Sequence, residues 1–119
     1  MTAKLYGIKN CDKVRAARRW LDNHNIEHSY HDFRDDGLDE QQVRKWLSSI
    51  DESALLNKRS TTWKQLSDEQ KAAAEGDTLV ALLCEHPTLI KRPVLDTGSE
   101  VHLGFSDKDY QQHFRQHAL

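Results

Sequence analysis

Cysteine is scarce in this chain, with two residues, Cys11 and Cys84, among 119. Thiols so few and so far apart give neither a disulfide framework nor a zinc-ligand spacing, and they suit a reducing compartment. Two prolines and five glycines leave nothing from which to build a proline- or glycine-rich linker, and there is no low-complexity segment and no internal repeat. No apolar run approaches the ~18 residues that cross a bilayer. Met1-Thr2-Ala3-Lys4 leads directly into a strand-like stretch where a secretory signal would place an apolar region. A cytoplasmic protein is the expectation. Charge of one sign is lacking too: 17 basic against 19 acidic residues leave a net charge of −2, which draws neither nucleic acid nor an anionic membrane. Any partner must be recognised locally, and 119 residues suit one domain, 1–119, working as a monomer.

What is present is organised around Cys11. Leu5 to Ile8 reads as a buried strand and Lys9-Asn10 as a turn. Val14, Ala17 and Leu21 recur at helical spacing, which predicts a helix from about Cys11 to about Asn25, closed by Asp22-Asn23-His24-Asn25. Cys11 then sits at the first turn of that helix. The first N–H groups of a helix have no intrahelical acceptor and the macrodipole leaves partial positive charge there, so a thiolate is favoured over a thiol. Lys9, Lys13 and Arg15 add cations nearby while Asp12 opposes them, and the expected shift of the thiol is downward.

Farther along, Ile26 to Phe33 reads as a second strand with Ile26, His28 and Tyr30 on one face, completing a βαβ unit. Asp35-Asp36-Gly37 is turn chemistry, and Asp39 precedes a helix whose Val43, Trp46, Leu47 and Ile50 form an apolar stripe. A weaker third helix follows. Ser67-x-x-Gln70 has the form of a capping box opening a short helix that Gly76 is expected to end, after which Asp77 starts another through Leu79, Leu82, Leu83 and His86. Beyond Pro87, Val94-Leu95 and Val101-His102-Leu103 flank Gly98 as a hairpin, and Ser106-x-x-Asp109 caps a last helix with Tyr110 and Phe114 facing inward.

Other constellations carry less. His113 and His117 are spaced i, i+4 on the last helix, but no third ligand converges on them, so no metal site is assigned. Trp20, Trp46 and Trp63 lack the basic interleaving of a single-strand-binding platform and read as packing residues. Cys84 lies in an apolar helical stretch and reads as core.

The order is α/β: a βαβ half, a helical insertion over about 39–86, and a ββα half around a four-stranded mixed sheet, with a cysteine at the end of the first strand. This is similar to the thioredoxin-like fold. Three segments resemble the arsenate reductase (ArsC)/Spx family, and most closely its YffB-like branch: Tyr6 to Cys11, Leu55 to Trp63, and His86 to Val94. The resemblance implies that Cys11 is the nucleophile and that Arg92 is one of the arginines that hold an oxyanion. A second such arginine has its counterpart at Asn57, with Arg59 two residues away, and the third falls on or near Gly104, where it is absent. The histidine that precedes the nucleophile in some arsenate reductases falls at Gly7. A charge-assisted contact to an oxyanion contributes ~1.5–3 kcal/mol, so the cradle is only partial.

The Spx regulators of this family carry a Cys-x-x-Cys switch and bind RNA polymerase, but here the position three after Cys11 is Val14. What the resemblance implies is a monothiol oxidoreductase in which an external thiol, glutathione, resolves the mixed disulfide on Cys11. No cofactor is expected to be bound. Glutathione is the co-substrate, a small oxidised molecule the other partner, and glutaredoxin a further candidate. Lys9, Asn10, Arg59, Lys91, Arg92 and Pro93 are the expected binding residues, with Arg92-Pro93 expected as a cis bond. The alternatives are arsenate reduction and an Spx-like regulator that binds RNA polymerase or another protein.

Overall fold

Strand β1 (Ala3–Gly7) runs parallel to β2 (His28–Asp32), with helix α1 (Asp12–Asn23) between them in sequence. The computed structural model describes residues 3–98 and 100–115. In chain order there follow α2 (Glu40–Leu47), α3 (Glu52–Leu55), α4 (Thr61–Gln65), α5 (Asp68–Ala72), α6 (Gly76–Glu85), a 3-10 turn (Pro87–Leu89), β3 (Val94–Asp96), β4 (Val101–Leu103) and α7 (Asp107–Arg115). The sheet order is β2-β1-β3-β4, and β3 is antiparallel to both of its neighbours. The result is a mixed four-stranded sheet in the thioredoxin-like arrangement.

Two compact units divide the chain: Met1–Asp32 with Arg92–Leu119, and Phe33–Lys91. The first holds the sheet. Leu5 and Leu95 are register partners on β1 and β3, and with Ala3 they form a buried face for Ala17, Trp20 and Leu21 of α1 and Tyr110 and Phe114 of α7. The Val14, Ala17 and Leu21 periodicity lies on the buried side of α1, as its spacing requires. Trp20 meets Tyr110 edge-on at 5.4 Å between ring centroids. Helix α1 stops at Asn23, two residues before the expected end, and Asn25 adopts φ 55°, the left-handed conformation asparagine tolerates after a helix.

In the second unit Val43 and Trp46 of α2 and Leu79, Val80, Leu82 and Leu83 of α6 are buried, and Arg44 reaches Asp77 at 2.7 Å. Local capping chemistry was legible: Asp39 accepts the Gln42 N–H, and Ser67 and Gln70 form the reciprocal capping box. Gly76 departs from its expected role. Helix α5 already ends at Ala72, and Gly76 opens α6, its N–H donating to the Glu52 carboxylate at 2.9 Å. Trp20 and Trp46 are buried, whereas Trp63 is half-buried with the Lys58 ammonium 5.5 Å from its ring centroid. No helix among the described residues is long and apolar enough to cross a membrane.

Candidate active site

The turn between β1 and α1 presents the cysteine. Ile8 is buried, Lys9 and Asn10 are exposed, and Cys11 is half-buried at the N-cap of α1 with φ −138° and ψ 120°. An extended residue at this position directs its carbonyl into the helix, where it accepts the Arg15 N–H at 3.0 Å. The Cys11 side chain makes no capping hydrogen bond, so its sulfur is not engaged by the helix backbone. The cations expected around it are partly spoken for: the Arg15 guanidinium pairs with Asp12 and also donates to the Lys9 carbonyl at 3.3 Å.

Beneath this turn lies a residue that the sequence did not single out. Asp32, the last residue of β2 and the register partner of Gly7, is 4% exposed. Its Oδ2 accepts the Lys9 N–H at 3.0 Å and the Tyr30 hydroxyl at 3.1 Å. Burial pushes the Tyr30 phenol up to about 12, with the Asp32 charge and hydrogen bond adding, the Arg18 guanidinium opposing, and Cys11 adding a smaller part. Arg18 lies over the Tyr30 ring at 4.3 Å. Tyr30 is therefore a neutral donor at physiological pH. In sequence, Asp32 merges with Asp35 and Asp36, acidic residues that read as turn chemistry, and nothing local marks it as buried.

The Arg92–Pro93 bond is cis. Pro93 is buried and Arg92 half-buried. Val94 follows, paired with Tyr6 one residue before the end of β1, so the cis bond and the Cys11 turn share one end of the sheet. The Pro93 carbonyl accepts the Gly104 N–H at 2.9 Å. A half-buried thiol at a helix N-terminus thus lies at the same end of the sheet as the Arg92–Pro93 segment that enters β3. A family model described as the ArsC family matches residues 6–113. The chain belongs to the ArsC family.

An uncharacterised protein of Haemophilus influenzae is 44% identical to this ArsC-family chain over 110 residues, 92% of the chain and 96% of that protein. Among solved structures, a YFFB protein superposes with a TM-score of 0.87 at 35% identity, covering 92% of this chain and 96% of the other. An arsenate reductase (ArsC) related protein from Brucella melitensis gives 0.76 at 32% identity, covering 97% and 96%.

Against the ArsC pattern, the substituted positions have local reasons. Gly104, where an arginine is absent, holds φ 77°, a conformation that favours glycine. Asn57 works as a turn residue: its N–H donates to the Leu89 carbonyl at 2.7 Å, and its side chain accepts the Arg59 N–H at 3.1 Å. Arg59 and Lys91 are exposed and belong to the second unit, whereas Lys9, Asn10, Cys11, Arg92 and Pro93 belong to the first. The Lys91 N–H donates to the Leu55 carbonyl at 2.9 Å. Cys84, on α6, is free and half-buried, and its thiol is pushed up by burial, with Glu40 and Asp39 adding and Arg44 opposing. The reading of His117 as part of a histidine pair lies outside the described residues, and His113 instead stacks on His102. Among the described residues no three histidine, cysteine or acidic side chains converge to hold a metal ion.

Proposed function

We propose that this ArsC-family chain is a monothiol oxidoreductase that reduces a small oxidised substrate at Cys11, with glutathione as the resolving thiol. The observation that carries the reading is a half-buried, free Cys11 at the start of α1 with Val14, and no second thiol, one turn along. The Cys11 thiolate attacks one sulfur of a mixed disulfide, preferentially the glutathionyl sulfur. A bond forms between the two sulfurs as the substrate S–S bond breaks, and the electron pair leaves on the substrate thiolate, which takes up a proton from water. A glutathione thiolate then attacks the glutathionyl sulfur on Cys11 and releases the Cys11 thiolate. The balance is one oxidised glutathione formed for one substrate disulfide reduced. Lys9, Asn10, Arg92 and Pro93, all in the first unit with Cys11, are the binding residues of this reading.

Arsenate reduction is the second reading, favoured by the Brucella relative, an arsenate reductase related protein. Gly104 and Asn57 weigh against it, since each stands where an oxyanion-holding arginine was expected. Intact-mass analysis after incubation with oxidised glutathione at neutral pH tests both, with peptide mapping and a Cys11→Ser control. One glutathione adduct, confined to Cys11 and removed by reduced glutathione, is the expected result. No adduct, or equal labelling of Cys84, overturns the glutathione reading. Protection of Cys11 from alkylation by arsenate would then carry the second.

A further inference from the structure

We propose that Asp32 is the positioning residue of the Cys11 thiol: its buried carboxylate ties the turn that presents Cys11 to β2 and sets a negative charge under that turn. This rests on the reading of Cys11 as the reacting thiol. Strand β1 ends at Gly7, so the Lys9 N–H has left the sheet ladder and must find another acceptor. Asp32 supplies it from 23 residues away, through the same Oδ2 that accepts the Tyr30 hydroxyl. Both bonds use Asp32 as an acceptor, and donors to a carboxyl oxygen favour its ionised form. A carboxylate only 4% exposed is costly to bury, and these donors offset that cost where the chain between Gly7 and Cys11 is tied to β2 through Lys9.

The second consequence is electrostatic. Around Cys11 lie Lys9, Asp12, Lys13 and Arg15 on its own turn and helix, Tyr30 and Asp32 on β2, Arg18 over the Tyr30 ring, and Arg92 before β3 at the same end of the sheet. A negative charge near a thiol disfavours its thiolate, and Asp32 would act from within the protein, where its charge is less screened than that of exposed Asp12. Thiol–disulfide exchange is fastest when the attacking thiol titrates near ambient pH, because nucleophilicity falls as the thiolate becomes more stable. Asp32 thus holds the turn that presents the thiol and sets a buried carboxylate beneath it.

The test is the rate of Cys11 alkylation by iodoacetamide against pH, with peptide mapping, in the unaltered chain, Asp32→Asn and Asp32→Ala. Asp32→Asn keeps an acceptor oxygen and removes the charge, so the midpoint moves to lower pH by about half a unit or more while the plateau rate is kept. Asp32→Ala also removes the acceptor, so the Lys9 amide loses hydrogen-exchange protection and the plateau rate falls several-fold. A midpoint that stays or rises in Asp32→Asn overturns the proposal. Should both variants fail to fold, the unaltered chain decides: the Asp32 carboxyl carbon signal steps at the Cys11 midpoint, and the step vanishes in Cys11→Ser. No step overturns the proposal. Cys11 alkylating no faster than Cys84 instead overturns the reading of Cys11 as the reacting thiol, an outcome distinct from either result for Asp32.

Discussion

The Val14 side chain occupies the space that a side chain on Gly7 would need: a Cβ placed on Gly7 would lie 2.6 Å from Val14 Cγ2 and 3.1 Å from Cγ1. Val14 is fully buried on α1, and β1 passes directly against it. The helix that carries Cys11 is held close to the sheet by the lack of a side chain at position 7. A histidine at that position is thereby incompatible with this packing.

Overpacking at that contact costs ~1–3 kcal/mol, and Gly7→Ala is expected to destabilise the chain by that amount in urea unfolding. The same change in a Val14→Ala background should cost about 1 kcal/mol less, because the clashing methyl groups are gone. Equal costs in both backgrounds would show that the close approach is not what position 7 is needed for.

The two thiols should separate by pH. Burial, then the Glu40 and Asp39 charges, raise the Cys84 thiol above its ordinary value. In Cys11→Ser, alkylation of Cys84 is expected to be slow at neutral pH and to rise only in the alkaline range. Glu40→Gln should move its midpoint down slightly, since burial is the larger cause. Rapid neutral-pH labelling of Cys84 would contradict this.

His113 and His102 stack at 3.5 Å between ring centroids, and His102 Nε2 lies 3.0 Å from a Glu100 carboxylate oxygen. Burial and then His102 lower the His113 pKa, while Asp109 and Glu100 oppose. A histidine that titrates lower when folded binds fewer protons in the native state, so its contribution is fully present above the ordinary value of about 6.5 and is lost as pH falls toward the folded value. Thermal unfolding should therefore fall off more steeply between neutral pH and mildly acidic pH than in His113→Phe, which keeps a stacking ring. Parallel pH profiles for the two proteins would remove His113 from the account.

The Tyr110 hydroxyl is buried and finds no hydrogen-bond partner among the described residues, and burial raises its phenol further above the ordinary value. An unpaired buried hydroxyl costs ~1–3 kcal/mol. Tyr110→Phe keeps the ring contacts with Trp20 and Phe105 and should be neutral or stabilising by up to about 1 kcal/mol in denaturant unfolding. A clear loss of stability would mean that the hydroxyl is bonded in solution.

Much of the architecture could be read from residues close together in the chain. The strand-turn-helix around Cys11, the Ser67-Gln70 box, the Asp39 cap and the Ser106 cap on the Asp109 N–H all depend on interactions spanning a few residues, where spacing is the cause. Gly76 was misplaced because the group that completes the start of α6 is Glu52, 24 residues earlier. Asp32 was missed for the same reason, its partner Lys9 being 23 residues away.

The sequence alone determined that a single thiol, Cys11, would stand at a helix start with no second thiol one turn along, because helix periodicity and cysteine positions are local properties. Only the tertiary structure decided what surrounds that turn. Parallel pairing of Gly7 with Asp32 brings a buried carboxylate under Lys9, and the packing of β1 on α1 sets the bare Gly7 against Val14. Both depend on the register between distant segments, which is set by burying Leu5, Leu21 and Leu95 together in one core, a property of the folded chain as a whole.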